Sequence, residues 1–205
     1  MNKEDFKLFP VLVSRYTNFL TNDQADTIFE YGKKLLLKPH PAWRGDAKSS
    51  HHITEDFLKD IENNVNDCRG LVEDLTFTLN LYSKQFGYHK DLQITNSWYN
   101  IQQPNSVLRM HVHPNSIFSA VLFVKCDSDS SHLFFYNPHH YVSYLNSALD
   151  GYIDYDIGVS AYESFGFQPN VGDLILFPSW LKHGSSEHLN QGVDRMTISF
   201  NCRFV

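Results

Sequence analysis

The spacing of apolar residues changes once along this chain, and that change limits the fold more than any other feature. Between Thr21 and Tyr82 apolar residues recur every three or four positions. Beyond Gly87 they recur every second position, in short runs broken by Pro, Asn, Asp and Gly. Helices therefore precede sheet, an α+β order that is mainly β. Thr21 and Gln24 have capping-box spacing ahead of Ala25, Ile28, Phe29, Leu35 and Leu36, which predicts a helix over about 22–37, ended by Pro39 and Pro41. Phe57, Ile61, Val65, Cys68, Val72, Leu75, Leu79 and Tyr82 predict a second helix over 56–82. The polar stretch 42–54 between them reads as a loop, with His51 and His52 solvated.

Strands are expected over 93–101, 106–113, 117–125, 132–137, 173–178 and 194–204, with one or two shorter ones around 160–168. That number suits an antiparallel jelly roll braced by the two N-terminal helices. The 205 residues read as one domain, helical to about residue 90 and jelly roll over about 91–205. The connection 138–160, rich in Tyr, Asp and His, is long for a structureless loop and is expected to act as a lid.

Composition removes several function classes. A net charge of −6 offers no cationic footprint for nucleic acid or an anionic membrane. The three cysteines, Cys68, Cys126 and Cys202, have neither disulfide-framework nor zinc-ribbon spacing. Residues 1–10 lack the apolar run of a signal peptide, and no stretch approaches the ~20 apolar residues that span a bilayer, so a cytoplasmic protein is expected. There is no Gly-x-Ser-x-Gly elbow, phosphate-binding glycine loop or His-Glu-x-x-His helix.

The last strand alternates strictly. Met196, Ile198, Phe200, Cys202 and Phe204 share one face, while Arg195, Thr197, Ser199, Asn201 and Arg203 share the other. Alone, this is what a half-exposed strand looks like. Two further strands carry polar faces without a row of Lys and Glu: Val107, Arg109, His111 and His113 on one, and Asn96, Trp98 and Asn100 on another. Such faces fit a hydrated cavity better than a solvent surface.

Eleven histidines make placement the question. His111 and His113, two apart on a strand, can aim both imidazoles at one ion, and His183, just beyond the apolar run Leu174–Phe177, supplies a third ligand from a distant strand. Three facial imidazoles suit iron, zinc, copper or nickel and leave positions open for chemistry. Chance clustering is the competing reading, since His51/His52 and His139/His140 also pair.

In order along the chain stand His111-Val-His113-Pro-Asn-Ser, Ser119, Gly172-Asp173-Leu-Ile-Leu-Phe177-Pro-Ser-Trp180-Leu-Lys-His183 and Arg195-Met-Thr197-Ile-Ser199-Phe-Asn201. This set resembles the 2-oxoglutarate and iron(II)-dependent oxygenases of marine bacteria and their phages, a family distantly similar to prolyl 4-hydroxylases. The strong part covers Asn96 to Phe204, and Leu8-Phe9-Pro10 with the following helix also resembles members. The resemblance implies a double-stranded β-helix of cupin-like shape in which His111 and His183 bind iron and Arg195, helped by Thr197, anchors the distal carboxylate of 2-oxoglutarate. It implies a hydroxylase that consumes O2 and releases succinate and CO2, acting on a small-molecule or peptidyl substrate in the cytoplasm, the host's if the chain is phage-encoded. Ser199, Asn201, Asn96 and Asn100 would shape the cosubstrate pocket, and Trp98, Tyr136 and Trp180 would border the substrate.

One position departs from the wider superfamily, whose first motif ends in Asp or Glu where this chain has His113. Either His113 is the third ligand, or a carboxylate such as Asp173 or Asp127 replaces it. Two rival functions remain at this point: a three-His cupin-like enzyme that does not use 2-oxoglutarate, and a non-catalytic metal- or ligand-binding jelly roll.

Overall fold

The computed structural model describes residues 11–35, 37–51, 53–139, 163–185 and 188–205. Leu8 to Pro10, Leu36, His52, His140 and nearly all of the expected lid lie outside the described residues.

Helix α1 (Asn22–Lys33) begins as the capping box predicts: the Gln24 N–H donates to Thr21 Oγ1 at 3.2 Å, and the Thr21 N–H donates to Gln24 Oε1 at 3.0 Å. It ends earlier than expected, because Lys38–Pro39 are drawn into the short strand β2 and proline disfavours helical backbone before it.

The expected second helix is two. Helix α2 (Phe57–Asn64) stops at an extended Val65, a 3-10 turn spans Asn66–Cys68, and α3 (Leu71–Lys84) starts after Gly70 at φ +82°. Glycine takes that left-handed conformation without a Cβ penalty. It offers no capping side chain, and Glu62 Oε1 on α2 accepts the Val72 N–H instead, at 3.2 Å. Phe57, Ile61, Val65, Cys68, Leu75, Leu79 and Tyr82 remain buried on one side, so the apolar period reported burial while being blind to the break.

The β part comprises β1 (Ser14–Tyr16), β2 (Lys38–Pro39), β3 (Trp43–Arg44), β4 (Ala47–Ser49), β5 (Leu92–Gln102), β6 (Val107–Leu108) and β7 (Phe118–Lys125). It continues through β8 (Leu133–Tyr136), β9 (Ser164–Phe167), β10 (Leu174–Pro178), β11 (His183–Gly184) and β12 (Arg195–Phe204). One sheet has the order β1-β10-β7-β12-β5-β4-β2, a second β11-β8-β9, and β3 pairs with β6. The fold is the double-stranded β-helix, with the large sheet carrying helices on one face and the small sheets on the other.

Strand alternation divides the interior in two. Phe118, Ala120, Leu122 and Val124 of β7, Leu174 and Leu176 of β10 and Met196, Ile198, Phe200 and Cys202 of β12 join the helices in one core. Val121, Phe123, Ile175 and Phe177, on the opposite face, pack with Leu133, Phe135 and Leu181 between the sheets. Arg195, Thr197, Ser199 and Asn201 belong by parity to this second face and are buried, which removes the half-exposed reading of β12.

Two expectations change here. Residues 106–113 form no continuous strand: beyond β6 the Arg109, His111 and His113 N–H groups donate to Ala42 O, His183 O and Ser179 O, each on a different neighbour. The segment is held as a strap across the barrel mouth, with every second amide partnered elsewhere. The stretch 42–54 is not simply a polar loop, since β3 and β4 lie in it and β4 extends the large sheet beside β5.

Candidate metal and dicarboxylate site

Three elements bring the imidazoles together. His111 and His113 lie on the strap, and His183 opens β11, joined to His111 through reciprocal backbone bonds of 2.9 and 3.0 Å. Gly184 permits that approach, because a Cβ there would stand 2.9 Å from Leu108 O. One ligand nitrogen from each of His111, His113 and His183 lies within 4.8 Å of the others.

Main-chain carbonyls fix two of the tautomers, and the Asn201 side chain faces the third ring. His111 Nδ1–H donates to Arg109 O and His183 Nδ1–H to Leu181 O, each at 2.9 Å. His113 Nδ1–H donates to Asn201 Oδ1 at 2.5 Å. With these donors, each ring turns Nε2 toward the other two. His111 Nε2 and His113 Nε2 are 3.1 Å apart, close to the ~3.0 Å expected for two nitrogens bound at right angles to one metal about 2.1 Å away. Two lone pairs facing at that distance repel, and a cation between them turns the repulsion into ligation. Burial pushes the pKa of all three imidazoles down, to about 4 for His113, so the rings are neutral at pH 7 as ligation requires.

Neither carboxylate alternative is at the site. Asp173 pairs with Arg15 of β1, and Asp127 accepts the Val193 N–H at 2.9 Å in a surface turn. Among the described residues, the metal-ligating cluster holds no Asp or Glu.

A cavity of about 230 Å³ opens beside the imidazoles. At its inner end Arg195 is only 4% exposed, with Nη1 donating to Gln102 Oε1 at 2.9 Å and the guanidinium carbon 5.0 Å from the Phe123 ring centre. Its Nε has no partner, and no carboxylate pairs with it among the described residues. Burial lowers its pKa to about 10, which leaves it cationic at neutral pH. A buried cation without an anion is costly, and a bound carboxylate relieves the cost. Together, three convergent imidazoles and a buried guanidinium in one pocket could hold a metal and a dicarboxylate side by side.

Of the residues predicted from sequence, Asn100, Trp98, Thr197, Ser199 and Asn201 line this cavity with the three histidines and Arg195. Asn96, Tyr136 and Trp180 are not among the described residues that line it. Asn96 Oδ1 accepts from Thr95 Oγ1, and Trp180 is 57% exposed. Sequence reasoning missed Gln102, which is fully buried directly across from Arg195 in the β5–β12 register and has the same strand parity as Trp98 and Asn100. It also missed buried Ser49, and Trp43, His40 and His51 at the rim. The His40, His51, Trp98 and His113 rings follow one another at 5.4, 5.4 and 5.6 Å. A lone Trp in a polar stretch was the available signal.

Residues 96–201, just over half of the chain, match the family model described as "Putative 2OG-Fe(II) oxygenase", and the chain belongs to this family. Its cofactors are therefore iron(II), 2-oxoglutarate and O2, and it is an oxidoreductase. A Pseudomonas putida prolyl-4-hydroxylase is similar in fold, with TM-score 0.60, 16% identity and coverage of 94% of this chain and 92% of that one. HygX from Streptomyces hygroscopicus, solved with nickel and 2-oxoglutarate bound, superposes with TM-score 0.61 at 10% identity over 94% and 82%. SnoN, an α-ketoglutarate-dependent epimerase from nogalamycin biosynthesis, does so with TM-score 0.61 at 11% identity over 94% and 77%. No curated protein matches the sequence. No helix among the described residues is long and apolar enough to cross a membrane.

Proposed function

We propose that this oxygenase, acting as one domain, hydroxylates a small-molecule or peptidyl substrate, with release of succinate and CO2. Bound iron(II) and 2-oxoglutarate supply the oxidising chemistry, in which O2 decarboxylates the cosubstrate and a substrate C–H becomes C–OH. The residues here do the rest. His111, His113 and His183 would hold iron(II) through Nε2, the imidazole donor set leaving room for a chelating cosubstrate. Arg195 anchors the distal carboxylate, and Gln102 fixes its guanidinium fork in direction. Thr197, Ser199 and Asn100 line the space between anchor and metal.

The observation that carries this reading is the buried, anion-less Arg195 in the same cavity as three convergent imidazoles. Trp98 and Trp43, both on the lining of the same cavity, border the space left for the substrate. The free thiols of Cys68, Cys126 and Cys202 suit a reducing compartment such as the cytoplasm, where iron(II) persists.

The test is anaerobic reconstitution with iron(II), followed by addition of 2-oxoglutarate and O2 across metabolite and peptide pools. Succinate formation coupled to a product 16 mass units heavier, one added oxygen atom, is expected. Succinate formation with an isomeric product would replace hydroxylation by epimerisation. Iron-loaded protein that never consumes 2-oxoglutarate would refute the oxygenase assignment.

A further inference from the structure

The three ligand rings are not held alike. His111 and His183 donate Nδ1–H to main-chain carbonyls two residues away in their own segments, geometry that a backbone supplies whatever the side chains are. His113 alone donates to a side chain, the Asn201 amide, 88 positions away on β12. It is also the ligand that stands where the wider superfamily has an anion.

The amide is fixed by its own partners. Asn201 lies directly opposite Ser119 in the β12–β7 register, and Ser119 Oγ–H donates to Asn201 Oδ1 at 2.8 Å. Ser119 Oγ is also 2.7 Å from Ser179 Oγ, and both serines are buried. With Ser179 donating to Ser119, and Ser119 and His113 both donating to Asn201 Oδ1, every group in the chain is satisfied, and Ser119 Oγ also lies 3.1 Å from His113 Nδ1. Ser179 also accepts the His113 main-chain N–H at 2.9 Å, so one residue steadies both backbone and ring. Next to Asn201 the β12–β5 register shifts, an irregularity of the kind that re-aims side chains beside active sites.

We infer that Asn201, oriented by Ser119 and Ser179, is the positioning residue of the third metal ligand: it holds His113 with Nε2 free for the metal and sets how strongly that ring donates. This rests on the ligand role proposed for His113. It adds to the place of Asn201 in the cavity wall, where the sequence expected it, a role in supporting the metal ligand. An acceptor behind a ligating imidazole raises its basicity, and loss of such a partner typically weakens metal binding by about 10–100-fold.

The experiment measures cobalt(II) affinity and visible spectrum without 2-oxoglutarate, and the iron(II)–2-oxoglutarate charge-transfer band under anaerobic conditions, in N201L, N201D and S119A. N201L should weaken cobalt binding about 10–100-fold. N201D puts a full negative charge behind His113, and it should restore affinity and move the charge-transfer band to lower energy. S119A frees the amide and should fall between wild type and N201L. N201L with wild-type affinity and spectrum would overturn the inference. So would N201D matching N201L in both readouts, because a purely structural Asn gives the two variants no reason to move apart. If N201L fails to fold, N201D and S119A decide, since the first is nearly isosteric and the second removes one buried hydroxyl. The ligand reading is tested separately by H113A, in which unchanged cobalt affinity would remove His113 from the metal.

Discussion

Replacing Arg195 by Met should raise the stability of the metal-free protein while abolishing tight 2-oxoglutarate binding, two effects of opposite sign from one substitution. Without ligand the guanidinium is 4% exposed, its Nε is unpartnered, and its only described polar contact is neutral Gln102. Its pKa drops from 12.5 to about 10, and at about 1.4 kcal/mol per unit this places the cost of keeping the charge buried near ~3 kcal/mol. Contact with the Phe123 ring returns about 1–2 kcal/mol of that. Met fills a similar volume without the charge, and Gln102 Oε1 keeps the Ser131 hydroxyl as donor at 3.1 Å. The metal-free variant should therefore be more stable by about 1–2 kcal/mol. With ligand the balance reverses. A desolvated charge pair lost on one side costs about 2–5 kcal/mol, so 2-oxoglutarate should bind roughly 30- to several-thousand-fold more weakly to the nickel-loaded variant. Urea unfolding of the metal-free protein and calorimetric titration of 2-oxoglutarate into the nickel form measure the two halves. A destabilised metal-free variant that still binds 2-oxoglutarate at wild-type affinity would show that Arg195 is structural and refute the anchor.

Metal-free protein should lose stability as pH falls from about 6.5 toward 4, because burial keeps His111, His113 and His183 neutral while the unfolded chain takes up protons. The His113 shift alone, to about 4, corresponds to roughly 3 kcal/mol by the bottom of that window; equal urea midpoints at pH 7 and pH 4.5 would count against neutral burial of the rings. Gly32→Ala should destabilise the fold by about 1–3 kcal/mol, since its Cβ would fall 2.3 Å from the Tyr99 ring under α1, while leaving metal affinity unchanged; a thermal midpoint equal to wild type would mean α1 shifts freely on the sheet.

The site was legible where chemistry follows strand parity. Arg195, Thr197, Ser199 and Asn201 alternate with apolar residues, so their shared face was visible before the fold was, and spacing singled out His111 and His113. His183 needed the exit from a buried strand to mark it. Gln102 had the parity of Trp98 and Asn100 but gave no sign that it faces Arg195, because pairing register is set by contacts between strands 93 residues apart. Trp43 and His51 sat in a stretch whose polarity matched a solvent loop, and only its pairing through β4 to β5 turned it into the cavity rim.

By itself the sequence determined the order of helix before sheet, the inward polar face of β12 and the spacing that singles out the histidines, since each is written in local spacing and side-chain chemistry. The tertiary structure decided which hydrogen bond each imidazole makes, and that among the described residues no carboxylate joins them or pairs with buried Arg195. These depend on distances between segments remote in the chain, and periodicity along one segment carries no information about its neighbours across the barrel.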